Sequence, residues 1–266
     1  MDDMVLRGRT ALVTGAGSGI GRGLALVLAG RGVRLALADI DEAGLAQTVA
    51  ALPGGAAATA HRLDVADREA VARFPDAIRA AHDRLDLLCN NAGVAIGGTF
   101  LEAREADFEW LFSINFWGVV RMTRAFLPLL ARSDDARIVN LSSIYGIVAP
   151  AGQTAYSASK FAVRGFSNAL RHELEDAGST IGVTVVHPGG VATNIARRAR
   201  LPPGVSSAQV EARLERIQSF LRMPPQRAAE VIVRAVERRR ARVLVGHDAR
   251  AARCSSGSHR SRTGSC

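Results

Sequence analysis

The sequence predicts an α/β fold in which about seven parallel strands form a doubly wound sheet with helices on both faces. Short apolar runs alternate with longer stretches of helical periodicity up to about residue 246. Such alternation builds a parallel sheet covered by helices. With 266 residues, 48% hydrophobic and 22% charged side chains, the chain is long enough to bury roughly three quarters of its unfolded surface without disulfides or metal.

The elements follow in order. Thr10 to Thr14 reads as a buried strand and Gly19 to Arg31 as a helix. Val33 to Ala38 is the second strand, followed by a helix around Asp41 to Leu52. Ala57 to Leu63 is the third strand, with a helix from Asp67 to His82. Leu85 to Cys89 is the fourth strand, and one long helical region runs from about Ala106 to Ala131. Arg137 to Leu141 is the fifth strand, Thr154 to Asp176 a long helix and Ile181 to Val186 the sixth strand. A loop and helices lead to a last strand at Arg242 to Val245. Residues 1–250 are expected to form one domain. The stretch 251–266 is nearly devoid of apolar residues and is expected to be a disordered tail.

Composition narrows the function classes. The net charge of +9 raises the question of a nucleic-acid partner. The basic residues are dispersed among acidic ones and no recognition motif accompanies them, so no nucleic-acid partner is expected. The cysteines, Cys89, Cys254 and Cys266, fit neither a disulfide framework nor a metal site. No metal is expected. The acidic start is unlike a signal peptide, and no run reaches the ~18 apolar residues of a membrane helix. The expected setting is the cytoplasm, with no membrane partner.

The first strand runs into Thr14-Gly15-Ala16-Gly17-Ser18-Gly19-Ile20-Gly21, directly before a helix. Glycines there allow a tight turn and close approach of phosphates, and the helix N-terminus attracts a pyrophosphate. The candidate dinucleotide contacts are Gly15, Ser18, Gly19, Ile20 and Gly21, although the strict G-x-G-x-x-G spacing is not met. Asp39 ends the second strand, where a carboxylate can accept hydrogen bonds from the adenosine ribose hydroxyls and repel a 2′-phosphate. Ile40 follows it, and no basic residue sits in the glycine loop, so NAD(H) is expected over NADP(H).

Tyr156 and Lys160 lie near the start of a long helix, at i and i+4, and share a face. An ammonium beside a phenol favours the phenolate and lowers its pKa from about 10. A bound nicotinamide cation would lower it further. A phenol tuned in this way can exchange a proton with a ketone or alcohol oxygen. Lys160 is the one lysine in the chain; every other of the 34 lysine and arginine residues is arginine. Ser143, just past the fifth strand, has a hydroxyl placed to donate to a substrate oxygen, although serines there are also ordinary turn residues. Asn115 falls inside an apolar helix, where asparagine competes for the backbone. A local bend or a bound water is expected there.

With these residues in view, the chain resembles the short-chain dehydrogenase/reductase family in its compact, single-domain, Rossmann-type form. The matching pieces are Thr14 to Gly21, Asp64-Val65, Asn90 to Gly93, Asn115, Ser143, Tyr156 to Lys160 and Pro188 to Thr193, in the family's order. The resemblance implies that Tyr156 is the general acid/base and that Lys160 also holds the nicotinamide ribose. It implies that Ser143 polarises the substrate oxygen and that Asn115 positions a water in a proton relay. Asp64 and Val65 would meet the adenine, while Asn91, Ala92 and Gly93 would line the adenosine ribose and the floor of the site. Pro188, Gly189, Val191 and Thr193 would bind the carboxamide face. The expected partner is a small-molecule alcohol or ketone, and the expected assembly a homodimer or homotetramer. His187, beside Pro188, is expected to be structural.

Residues 194–223 are expected to form a lid, with an amphipathic helix around Ala208 to Leu221. Val94, Ile96, Ile147 and Pro150 are candidate walls of an apolar pocket. The expected activity is hydride transfer between a nicotinamide cofactor and the carbonyl or secondary alcohol carbon of a small or medium apolar substrate. Two alternatives stay open: a reductase of an acyl thioester, for which Arg197, Arg198 and Arg200 leave room, and a non-catalytic NAD(P)-binding sensor on the same fold.

Overall fold

A computed structural model describes residues 3–202, 204, 211, 220–246 and 249. The chain begins with β1 (Thr10–Thr14), α1 (Gly19–Gly30), β2 (Arg34–Asp39), α2 (Glu42–Ala50), β3 (Ala58–Arg62) and α3 (Arg68–Ala81). It continues through β4 (Leu87–Asn90), α4 (Glu105–Asn115), α5 (Trp117–Leu130), β5 (Ala136–Leu141), a 3₁₀ turn (Ile144–Gly146), α6 (Thr154–Asp176) and β6 (Ile181–Pro188). It closes with α7 (Pro225–Glu237) and β7 (Arg242–Val245).

All the strand pairs are parallel, in the order β3-β2-β1-β4-β5-β6-β7. Strand order reverses between β1 and β4, which opens a crevice at their carboxyl ends, where ligands of such sheets bind. Alternate residues of each strand face opposite layers. Ala11, Val13, Leu35, Leu37, Val139 and Val186 pack with α1 and α7 residues such as Leu24, Leu28, Ile232 and Val233. Leu12, Ala36, Leu88, Ile138 and Val183 pack with Val71, Phe74, Met122 and Phe126 of α3 and α5. A third, smaller cluster joins Ile96, Leu111 and Ala155 with the partly buried Phe108, Trp110 and Tyr156, and builds one wall of the site.

The opposite end of the sheet, at the amino ends of β1 and β4, is tied down electrostatically. Asp86 accepts from the Thr10 amide at 2.8 Å, from Ser133 Oγ at 2.6 Å and from Arg9 at 3.1 Å. Its carboxyl is held below the usual range; burial opposes this, but the bonds from Ser133, Thr10, Arg84 and Arg9 outweigh it.

The expected alternation of elements is present, with shifts of a few residues at their ends. The expected helix from 106 to 131 instead divides into α4 and α5 at Phe116 (φ −111°, ψ −59°). Asn115, the last residue of α4, explains the break. Its Oδ1 accepts from Val94 N at 2.8 Å and its Nδ2 donates to Val94 O at 3.0 Å, pinning this turn to the loop after β4. The bend expected at Asn115 is therefore real. Most of the expected lid helix and all of the tail 251–266 lie outside the described residues. Among the described residues no helix is long and apolar enough to cross a membrane.

Candidate active site

The crevice is lined by loops that leave β1, β2, β4, β5 and β6. The turn after β1 places Gly15 and Gly19 at positive φ, +65° and +54°, where glycine avoids a steric cost. A Cβ on Gly21 would stand 2.0 Å from Gly15 O, so the turn closes on itself only without a side chain. Ser18 is the N-cap of α1, and no side chain caps that terminus. The first-turn N–H groups of Gly19, Ile20 and Gly21 therefore remain available to a phosphate. These features fit the pyrophosphate of a dinucleotide.

The rest of the expected cofactor surface converges on this turn. Asn91 Nδ2 donates to Thr14 O at 2.9 Å and Gly15 O at 3.1 Å. Asn91 N and Ala92 N both donate to Thr14 Oγ1. Asn91 thus shapes the glycine turn and the floor. Asp39 accepts from Gly17 N at 2.8 Å and Asp41 N at 3.0 Å, which fixes its carboxylate at the end of β2 beside the turn. Asp64 accepts from Ala66 N at 2.8 Å. Val65 buries its side chain in the layer beneath, against Gly118 of α5, so only its backbone remains at the edge. Pro188 ends β6, Gly189 N donates to Val245 O at 2.9 Å, and Val191 bridges to Met223. Thr193 comes back across the crevice to Gly19.

The chemical group sits beyond β5. Lys160 is buried, and its Nζ lies 5.6 Å from the centre of the Tyr156 ring and donates to Leu141 O at 3.1 Å. Gly93 lies beside it; a Cβ there would be 3.5 Å from Nζ. Ser143 Oγ accepts from Tyr145 N at 3.1 Å, and the Tyr145 ring meets that of Tyr156 edge-on. Asn115, fully buried, reaches Ser159 Oγ with Nδ2 at 3.2 Å, which links it to the same turn of α6. The structure thus brings together Asn115, Ser143, Tyr156 and Lys160, the four expected catalytic residues.

The electrostatics add burial to the sequence expectation. Burial pushes the Tyr156 phenol up to about 12, with Ser143 pulling down and Tyr145 pushing up. Burial also pushes Lys160 down to about 8. Burial of the phenol thus opposes the acidification expected from Lys160.

Tyr156 lines a shallow surface recess with Ile96, Phe100, Ala103, Phe108, Gln153 and Ala155 among others. Of the four expected wall residues, Ile96 lines it. Val94 packs in the same cluster as Ile96 and Tyr156 while its backbone holds Asn115, whereas Ile147 is buried outside the recess and Pro150 is exposed. Of the arginines weighed for an anionic substrate, Arg198 pairs with Asp41 at 3.4 Å, and Arg200 stacks on Trp110 and approaches Asp107.

One neighbour of the site, Tyr145, was missed, and His187, expected to be structural, has a defined partner. Tyr145 meets the Tyr156 ring edge-on; its place two residues after Ser143 was the available signal. His187 is fully buried and its Nδ1–H donates to Ser143 O at 2.9 Å, which leaves Nε2 without a partner. Burial pushes it down to about 4, so it is neutral at physiological pH and bears on the Ser143 peptide.

Fold and site together define a dinucleotide-binding oxidoreductase framework, and comparison with known proteins agrees. The pattern of the short chain dehydrogenase family matches residues 9–203. The Mycobacterium tuberculosis protein named oxidoreductase SadH is 44% identical over 245 residues, covering 92% of this chain and 88% of SadH. Oxidoreductase UcpA of Salmonella typhimurium is 40% identical over 193 residues, 72% of each chain. A short chain dehydrogenase/reductase from Burkholderia phymatum, solved in complex with NAD, is 33% identical with a TM-score of 0.87, over 94% of this chain and 93% of that one. The chain belongs to the short-chain dehydrogenase/reductase family of oxidoreductases.

Proposed function

We propose that the protein is an NAD(H)-linked oxidoreductase acting on a small or medium apolar ketone or the corresponding secondary alcohol, with Tyr156 as the proton donor and acceptor. The observation that carries this reading is the convergence of Tyr156, Lys160 and Ser143 beyond β5, with Tyr156 lining a shallow, largely apolar recess.

The glycine turn and the uncapped start of α1 would hold the pyrophosphate, Asp39 the adenosine ribose, and Pro188 to Thr193 the nicotinamide end. When bound there, the dinucleotide would supply or accept the hydride. The chain's residues do the rest. Ser143 Oγ donates to the substrate oxygen and holds it at the phenol. Tyr156 gives its proton to that oxygen in the reductive direction and takes it back in the oxidative one. Lys160, held by Leu141 O, sets the charge behind the phenol. Asn115 ties the wall at Val94 to α6, where it would also seat a relay water. The apolar wall limits water around the reacting carbon.

The carboxylate of Asp39, fixed at the end of β2, disfavours a 2′-phosphate and supports NAD(H) over NADP(H). The engagement of Arg198 and Arg200 with Asp41, Trp110 and Asp107 argues against an acyl thioester. Exposed Trp117 and Phe161 on α5 and α6 support a homodimer or homotetramer.

The test is an absorbance screen for NADH formation and consumption over secondary alcohols, ketones and hydroxyacyl thioesters, repeated with NADP(H). Turnover of apolar alcohols or ketones with NAD(H) is expected. Turnover confined to thioesters, or a clear preference for NADPH, would contradict the reading.

A further inference from the structure

The segment after Thr193 is joined to the wall of the recess. Arg200 N donates to Ala95 O at 3.1 Å, and Gly97 N donates to Arg200 O at 2.7 Å, so Arg200 pairs with Ile96 as a short parallel bridge. Pro202 lies on Gly98, which sits at φ +98°; a Cβ there would stand 2.5 Å from Pro202 Cγ. Ile96 and Gly98 both line the recess that holds Tyr156.

A two-bond backbone bridge is weak alone, because each bond competes with water. The Arg200 side chain supplies a second attachment. Its guanidinium carbon lies 3.5 Å from the centre of the Trp110 ring, and Nη1 lies 3.7 Å from Asp107 Oδ1. The platform is rigid. Asp107 is buried and already held by Arg104 through two bonds of 2.8 and 3.1 Å, and Trp110 lies one turn further along α4 within the cluster that contains Tyr156. A planar guanidinium can stack on an indole and face a carboxylate edge-on at the same time, which an ammonium cannot match.

We infer that Arg200 is a positioning residue that latches the strap 194–202 onto α4 and so fixes the outer wall of the substrate recess, Ile96 to Gly98. The part that concerns substrate rests on the function proposed above; the latch itself does not. Arg200 touches no reacting atom in this account. Its effect passes through the strap to the wall.

Two readouts test it. Tryptic cleavage at Arg197 and Arg198 follows the population of the opened strap when opening is fast. Arg200→Gln and Trp110→Leu are each expected to speed that cleavage about two- to fivefold, the range of a solvent-exposed cation–π contact, since the Arg200 side chain is half exposed. The double variant is expected to be no faster than either single one, because both remove the same contact. Arg200→Lys should restore less than half of the protection. In turnover, Arg200→Gln is expected to raise KM several-fold and to leave kcat and NADH affinity nearly unchanged.

Unchanged cleavage in Arg200→Gln, or effects that add in the double variant, would overturn the latch. Faster cleavage with KM unaltered would overturn the link to the recess. Should Trp110→Leu fail to fold, Arg200→Gln, an exposed position, still decides. A wild-type protein inactive over the whole substrate panel would refute the proposed activity alone, and the cleavage rates would still judge the latch.

Discussion

Replacing Lys160 by methionine is expected to stabilise the fold while abolishing its activity. Lys160 is buried, and desolvation drives its ammonium from 10.5 to about 8. At about 1.36 kcal/mol per pH unit, keeping it charged at neutral pH costs the folded state about 3 kcal/mol. Methionine fills similar space without charge. It gives up the bond from Nζ to Leu141 O, worth about 1 kcal/mol. The net gain is about 2 kcal/mol, which corresponds to a rise in Tm of about 4–8 °C for a domain of this size. The pH dependence carries a sign. Below pH 8 the lysine is protonated in both states and the full cost is present. Between about 8 and 10.5 the folded protein releases the proton while the unfolded chain keeps it, so the wild type gains stability as pH rises. The gap between variant and wild type should therefore be constant below pH 8, shrink above it, and by about pH 10.5 reverse to the roughly 1 kcal/mol of the lost bond. Thermal unfolding of both proteins across that range measures it. A variant less stable at pH 7, or a gap that ignores pH, would refute the reasoning.

Other outcomes follow from the same geometry. Gly21→Ala is expected to abolish NADH binding in a fluorescence titration and to lower Tm, because its Cβ cannot share space with Gly15 O. His187 is held neutral, down to about 4 in the fold against an ordinary 6.5, so the unfolded chain binds its proton first as pH falls. The protein should lose about 3 kcal/mol of stability from this group between pH 6.5 and 4. His187→Asn, whose amide N can replace Nδ1 toward Ser143 O, should flatten the urea midpoint over that interval; an unaltered acid slope would rule the histidine out as its cause.

Much of the fold was legible because burial on both faces of a parallel sheet leaves short continuous apolar runs, as at Thr10 to Thr14 and Ile181 to Val186. The glycine turn and the Tyr156/Lys160 pair were legible because their geometry is local. The division of the helix at Phe116 was half legible. Asn115 signalled a bend, but its partner, Val94, is 21 residues away. The same limit hid the stack of Arg200 on Trp110 and the bond from His187 to Ser143, which depend on how β4, α4 and β6 come together. The burial acting on the Tyr156 phenol was hidden for a related reason. Spacing on a helix shows that a charge is near, whereas the desolvation that opposes it comes from the whole surrounding core.

The proposed role of the Tyr156 hydroxyl, carrying the proton that accompanies hydride transfer, is probed by Tyr156→Phe. With the best substrate from the screen, single-turnover NADH consumption should fall by at least about a hundredfold, the low end of what a positioned acid contributes, while NADH affinity and Tm stay near wild type. A variant that keeps most of the wild-type rate would contradict the account.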